Sequence, residues 1–303
     1  MSDRHLIEKI EALKESRNAI ILAHNYQRDE VQEIADYTGD SLGLSIRASK
    51  AEADVIVFCG VHFMAETASI LCPDKTVLMP DPQAGCPMAD MITADQLREL
   101  KARHPGAVVV TYVNSSAEVK AETDVCCTSS NAVKVVESLK DAREIIFVPD
   151  QYLGSFVAKK TGRDMILWQG YCPTHLRITP ESIERQKAAH PEAEVLVHPE
   201  CSQPVVALAD FALSTEGICK RANESSAREF IIGTELGVMY RLKKENPGKL
   251  FYPASEMAVC PNMKRTTLEK ILWCLEGMTN EVRVPEDVRV LARRSVDRMV
   301  AIA

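Results

Sequence analysis

The sequence has no excess of basic charge. Its 36 Lys and Arg are outweighed by 43 Asp and Glu, a formal net charge of −7. A chain that neutralises nucleic-acid phosphates needs a basic face, so nucleic acid is not expected as the main partner; a small anionic ligand needs only local donors. A long apolar run is also missing from the first residues. Ser2-Asp3-Arg4-His5-Leu6-Ile7-Glu8-Lys9-Ile10 reads as a charged amphipathic helix, neither a signal peptide nor a membrane span. A cytoplasmic protein without membrane association is expected. The 10 cysteines, with no secretory signal, read as reduced thiols or metal ligands rather than a disulfide framework.

What is present is an ordinary globular composition, 46% hydrophobic and 26% charged over 303 residues, enough for more than one core. It is organised by an internal repeat. Three apolar strands lead into Gly85-Cys86-Pro87-Met88, Gly170-Tyr171-Cys172-Pro173-Thr174-His175 and Val259-Cys260-Pro261-Asn262, with the cysteines 172 − 86 = 86 and 260 − 172 = 88 apart. Two further series keep nearly the same step. Strand-end residues His24, Tyr112 and His198 are 88 and 86 apart, as are the hydroxyl residues Ser41, Ser129 and Thr215 at expected helix starts. Three parallel series imply three copies of one unit.

Within each copy, short apolar strands alternate with helices, the pattern of parallel α/β layers. In the first copy a helix is expected over about 3–16, a strand over 19–23, a helix over 28–37, a helix from Asp40 or Ser41, a strand over 55–58 and a helix over 62–71. The second copy runs through strands at 107–111 and 145–148 and helices at 131–140 and 151–160; the third has strands at 195–197 and 230–232 and helices from Thr215 and over 237–244. Thr93, Thr179 and Thr266 mark the helix that follows each cysteine loop. The expected fold is therefore three homologous three-layer α/β/α domains with parallel sheets about a pseudo-threefold axis, the active site at its centre. The domains would cover 1–86 plus 277–303, 87–172 and 173–276, with a closing C-terminal helix from Pro285.

Ligands of open parallel sheets bind beyond the carboxyl ends of the strands, where His24, Tyr112, His198 and all three cysteine loops fall. Three single, distant cysteines are unlike the closely spaced pairs of structural zinc sites. A four-iron cluster with three thiolates would leave one iron open as a Lewis acid; zinc stays the alternative metal. Helix-start hydroxyls with their N–H groups suit carboxylate or phosphate. His24, Tyr26, Tyr112, Asn114, His198 and Glu200 are polar groups at the ends of apolar strands, suited to proton exchange or to polarising an oxygen. His5, His104, His190 and Cys72 read as structural, while His62 and His175 are open, with His175 favoured because it follows Cys172 by three residues. Cys126, Cys127 and Cys201 read as packing.

His24-Asn25-Tyr26-Gln27, Tyr112-Val113-Asn114, Gly170-Tyr171-Cys172-Pro173-Thr174-His175, His198-Pro199-Glu200-Cys201 and the three spaced cysteines together closely resemble the quinolinate synthase family over essentially the whole chain. The resemblance implies condensation of iminoaspartate with dihydroxyacetone phosphate to quinolinate in de novo NAD synthesis, with iminoaspartate supplied by an L-aspartate oxidase or dehydrogenase. It implies a 4Fe-4S cluster on Cys86, Cys172 and Cys260. Substrate positions would be His24, Ser41, Tyr112, Val113, Asn114, Ser129, His198, Pro199, Glu200 and Thr215. Glu200 and Tyr26 are the candidates for proton transfer, and His24, Tyr112 and His198 complete the catalytic set. Competing readings are a redox-sensing iron–sulfur protein and a zinc-dependent α/β enzyme.

Overall fold

The computed structural model describes residues 3–302. Among them, twelve strands form three four-stranded sheets, parallel throughout and with one topology. In the first sheet Tyr37–Gly39 lies at one edge, then Ala19–His24, Val55–Cys59 and Thr76–Leu78. The second runs Val125–Cys127, Val108–Tyr112, Ile145–Val148, Ile166–Leu167, and the third Phe211–Ala212, Glu194–Val197, Glu229–Gly233, Leu250–Pro253. Three repeated α/β domains are thus the architecture, as the repeat arithmetic anticipates.

The strands are apolar on both faces because each face meets a different core. In Ile145–Val148, Ile145 and Phe147 face a cluster shared by all three repeats, which also holds Phe58 and Phe230, while Ile146 and Val148 face an outer cluster with Val109 and Leu97. One polar device recurs. Asp36, Asp124 and Asp210 each accept the backbone N–H of a central strand, from Ile21, Val109 and Val195, all at 2.8 Å. They satisfy a strand donor that the short edge strand does not reach.

Several expectations need correction. The helix placed at 28–37 is only Asp29–Glu33, after which the chain turns at Asp36 into the edge strand Tyr37–Gly39. The corresponding edge strands Val125–Cys127 and Phe211–Ala212 are too short to show a period. The helix expected at Asn131–Lys140 is Ala132–Ser138. Of the two caps expected for the helix after Tyr37–Gly39, Asp40 accepts from Gly43 N at 2.8 Å. Elsewhere the caps shift: Ser214 rather than Thr215 accepts from Gly217 N at 3.1 Å, Thr267 rather than Thr266 caps Leu268–Gly277, and Ser129 lies in the turn before Ala132–Ser138, whose cap position is Asn131. Thr93 and Thr179 do form capping boxes, with Gln96 and Ser182.

The C-terminal helix Glu286–Ala301 closes the joint between the first two repeats. It packs on His62–Leu71, Ala117–Ala121 and Val125–Cys127. Arg293 donates to the carbonyls of Ile70 and Leu71, and Met299 O accepts from Asn131 Nδ2 at 3.0 Å. Among the described residues, no helix is long and apolar enough to cross a membrane.

Candidate active site

The carboxyl ends of the three sheets face one central cavity of about 230 Å³. The structure brings His24, Tyr26, Ser41, Cys86, Tyr112, Asn114, Ser129, Cys172, His198, Glu200, Thr215 and Cys260 together on its wall. Val113 and Pro199, also expected as substrate positions, do not line it. Val113 is buried, its N–H held by Cys127 O at 2.8 Å, and Pro199 is buried between the two residues that do face the cavity.

The one-residue cap shift has a chemical consequence. Because Asp40 and Ser214 serve as caps, Ser41 and Thr215 sit inside the first turn with their side chains available to the cavity. Ser129 instead meets His198, with Oγ 3.0 Å from Nε2.

His24 and His198 are held alike. The N–H two residues on, from Tyr26 and from Glu200, donates to Nδ1 at 3.1 and 3.3 Å. An Nδ1 that accepts places the proton of the neutral ring on Nε2. Burial lowers both pKa values to about 3. At neutral pH these rings are uncharged donors, suited to polarising a substrate oxygen.

Glu200 is the centre of the polar network. Its carboxylate accepts from Tyr112 Oη at 2.5 Å and lies 2.8 Å from His175 Nδ1, which is also 3.2 Å from Cys172 Sγ, and His175 stacks on His198 with ring centres 4.8 Å apart. Burial opposes its charge, but His175, His198 and the Tyr112 hydroxyl hold it below the usual carboxylate range. Burial, then the negative charge of Glu200, keeps the phenols of Tyr26 and Tyr112 protonated well above their usual range. His175 Nε2 lies 2.9 Å from Thr234 Oγ1, itself 2.5 Å from Tyr26 Oη. A continuous path therefore runs from Tyr26 through Thr234 and His175 to Glu200 and Tyr112.

The local sequence pattern leaves the role of His175 open and does not mark Thr234 or Glu235. A usable signal existed for the last two. They directly follow the strand Glu229–Gly233, the second central strand of the third copy, whose carboxyl end also faces the cavity.

The three cysteines share a local design. Each is followed by proline, which has no N–H, and backbone amides two or three residues beyond the cysteine serve the sulfur: Ala89 and Met88 for Cys86, His175 for Cys172, Met263 and Asn262 for Cys260. Amides aimed at sulfur stabilise thiolates. Burial nevertheless pushes the Cys86 thiol up to about 12 and raises Cys172 and Cys260 as well, so thiolates here call for a bound cation. The other seven cysteines are buried away from the cavity. Three thiols converging from three repeats, each with backbone donors, fit a cluster of the three-thiolate kind. A second donor group overlaps it: Cys172, His175 and Glu200 offer ligand atoms within 4.8 Å of one another.

Buried acceptors without partners add to the picture. Asn114 Oδ1, on the cavity wall, and Asp150 Oδ2 find none within the protein. Such atoms are costly unless something completes them.

A three-repeat α/β fold with a central site of thiols, imidazoles, phenols and a carboxylate defines a multi-domain parallel α/β protein with the equipment for acid–base chemistry on a small polar ligand. Residues 8–301 match the family described as Quinolinate synthetase A protein. Curated relatives named quinolinate synthase include proteins from Geobacter metallireducens, 62% identical over 295 residues with 97% of each chain covered, and Dehalococcoides mccartyi strain BAV1, 59% over 300 residues with 99% of each covered. One from Methanosarcina acetivorans, named quinolinate synthase 2, is 57% identical over 303 residues, covering 100% of this chain and 97% of its own. The chain belongs to the quinolinate synthetase A family.

Proposed function

We propose that this chain is a quinolinate synthase of NAD biosynthesis, condensing iminoaspartate with dihydroxyacetone phosphate to quinolinate, phosphate and two waters. The observation that carries the reading is the convergence of Cys86, Cys172 and Cys260 on one cavity that also holds Glu200, His24, His198, Tyr26 and Tyr112. Family membership and relatives of that name over nearly the whole chain support it.

In this reading Cys86, Cys172 and Cys260 hold a 4Fe-4S cluster, which when bound supplies an open iron as Lewis acid for a substrate oxygen. The chain's own groups do the rest. Ser41 and Thr215, with the N–H groups of the helix turns they begin, and Ser129 from its turn take the carboxylates and phosphate. His24 and His198 donate Nε2–H to oxygens on which charge develops. Tyr26 and Glu200 exchange protons with the substrate, and Thr234 and His175 connect them. Burial of the network excludes water that would hydrolyse the imine. Iminoaspartate would come from an enzyme that oxidises aspartate at its amine.

The Cys172, His175 and Glu200 group favours a second reading, a single zinc at an open three-ligand site. Anaerobic incubation of the purified protein with iminoaspartate and dihydroxyacetone phosphate tests the proposal. Quinolinate, detected by mass and by its pyridine absorbance, is expected; none from iron-loaded protein would refute it.

A further inference from the structure

The third repeat grips the Tyr26 loop of the first through two charged residues that neither the motifs nor the repeat spacing singled out. Glu235 is fully buried. One of its carboxylate oxygens accepts Cys260 N–H at 3.0 Å, the other accepts Gly237 N–H at 2.7 Å, and Lys264 Nζ lies 3.1 Å away. Lys264 then spans to the first repeat, where Nζ donates to Tyr26 O, while Lys264 O accepts from Arg28 Nε at 2.7 Å. The seam is tight. A Cβ on Gly237 would sit 2.7 Å from Tyr26 Cα, and Gln32 Nε2 donates to Gly237 O at 2.8 Å.

Glu235 therefore touches the backbone of one cysteine and, through one ammonium group, the backbone of Tyr26. A buried carboxylate with both oxygens engaged has little freedom to rearrange alone. Moving Cys260 N–H shifts the carboxylate, and the carboxylate carries Lys264 with it. We propose that Glu235 and Lys264 are positioning residues that couple metal loading at Cys260 to the placement of Tyr26, so that the Tyr26 loop is ordered when the thiolates are engaged. The coupling rests on the cluster reading above. It is a property of these two residues and requires no titration.

The test is hydrogen exchange of the segment 24–33 in full-length protein, with and without reconstituted iron and sulfide, alongside an iron count. In the wild type, loading is expected to slow exchange in that segment by about tenfold, a typical coupling between sites. Lys264→Met is expected to bind iron normally yet lose that difference, with kcat falling and KM little changed; Lys264→Arg restores both. Glu235→Gln provides a second variant if Lys264→Met fails to fold. Its amide can accept from only one of the two N–H groups, and it is expected to lose the same protection. Unchanged loading-dependent protection in an iron-loaded variant overturns the coupling. A wild type that binds no iron overturns the cluster reading, a separate outcome visible in the iron count.

Discussion

Replacing Thr234 by valine keeps the shape of a fully buried side chain and removes only its hydroxyl. That hydroxyl has one proton to give. Thr234 Oγ1 lies 2.9 Å from His175 Nε2 and 2.5 Å from Tyr26 Oη, so this one hydroxyl bridges the two, and His175 Nδ1 in turn lies 2.8 Å from Glu200. Valine leaves His175 Nε2 and Tyr26 Oη without their partner, in positions 2% and 9% exposed. An unsatisfied buried polar group costs about 1–3 kcal/mol, and no new cavity offsets or adds to it. Loss of about 2–3 kcal/mol from the transition state corresponds to roughly 30- to 150-fold in kcat. The assay is steady-state quinolinate formation by iron-loaded protein, with KM expected within about threefold of wild type because Thr234 does not face the cavity, a split that marks lost transition-state stabilisation. Thr234→Ser, which keeps the hydroxyl, should recover most of the rate. Valine turnover within about threefold of wild type would refute the hydrogen-bonded path.

Glu200→Gln should lower kcat by at least about 100-fold, the usual worth of a positioned acid–base group; full turnover in an anaerobic assay removes Glu200 from proton transfer. Gly237→Ala should cost about 1–3 kcal/mol in urea unfolding, because its Cβ would lie 2.6 Å from the Tyr26 carbonyl carbon in a packed seam. His24 has its folded pKa lowered from 6.5 to about 3, so between those values the unfolded chain binds a proton that the folded one refuses. Stability from this residue is complete above pH 6.5 and is lost as pH falls towards 3, by about 2 kcal/mol from pH 7 to pH 5. His24→Asn, whose amide oxygen can still accept Tyr26 N–H, should flatten that slope; an unchanged slope in denaturation at the two pH values contradicts neutral burial. Cys127→Ala, at a fully buried position off the cavity, should leave the iron content unchanged by chemical assay.

The repeat was legible because its markers are chemical and periodic. Apolar strands, a polar strand-end residue and Cys-Pro recur at one step, and the same step carries the three cysteines to one cavity. Helix caps were less legible. In Asp40-Ser41 and Ser214-Thr215 both residues of each pair are good caps, and only the backbone geometry at the turn decides between them. The edge strands are two or three residues long and exist because a central strand is there to pair with. Thr234 reaches Tyr26 across 208 positions of sequence, and Lys264 reaches the same residue across 238. Such contacts belong to the packing of one repeat on another, and no local pattern encodes them. Val113 and Pro199 show the reverse case, where a motif marks residues whose neighbours rather than themselves face the cavity.

Three thiolates, one from each repeat, are proposed to hold a single iron–sulfur cluster. Iron and acid-labile sulfide counted after oxygen-free purification test it most directly, in the wild type and in Cys86→Ser, Cys172→Ser and Cys260→Ser. About four of each per chain, as the four-iron type requires, falling sharply in all three variants, is the predicted result. A colourless protein containing about one zinc, lost with Cys172→Ser but kept with Cys86→Ser and Cys260→Ser, would contradict it.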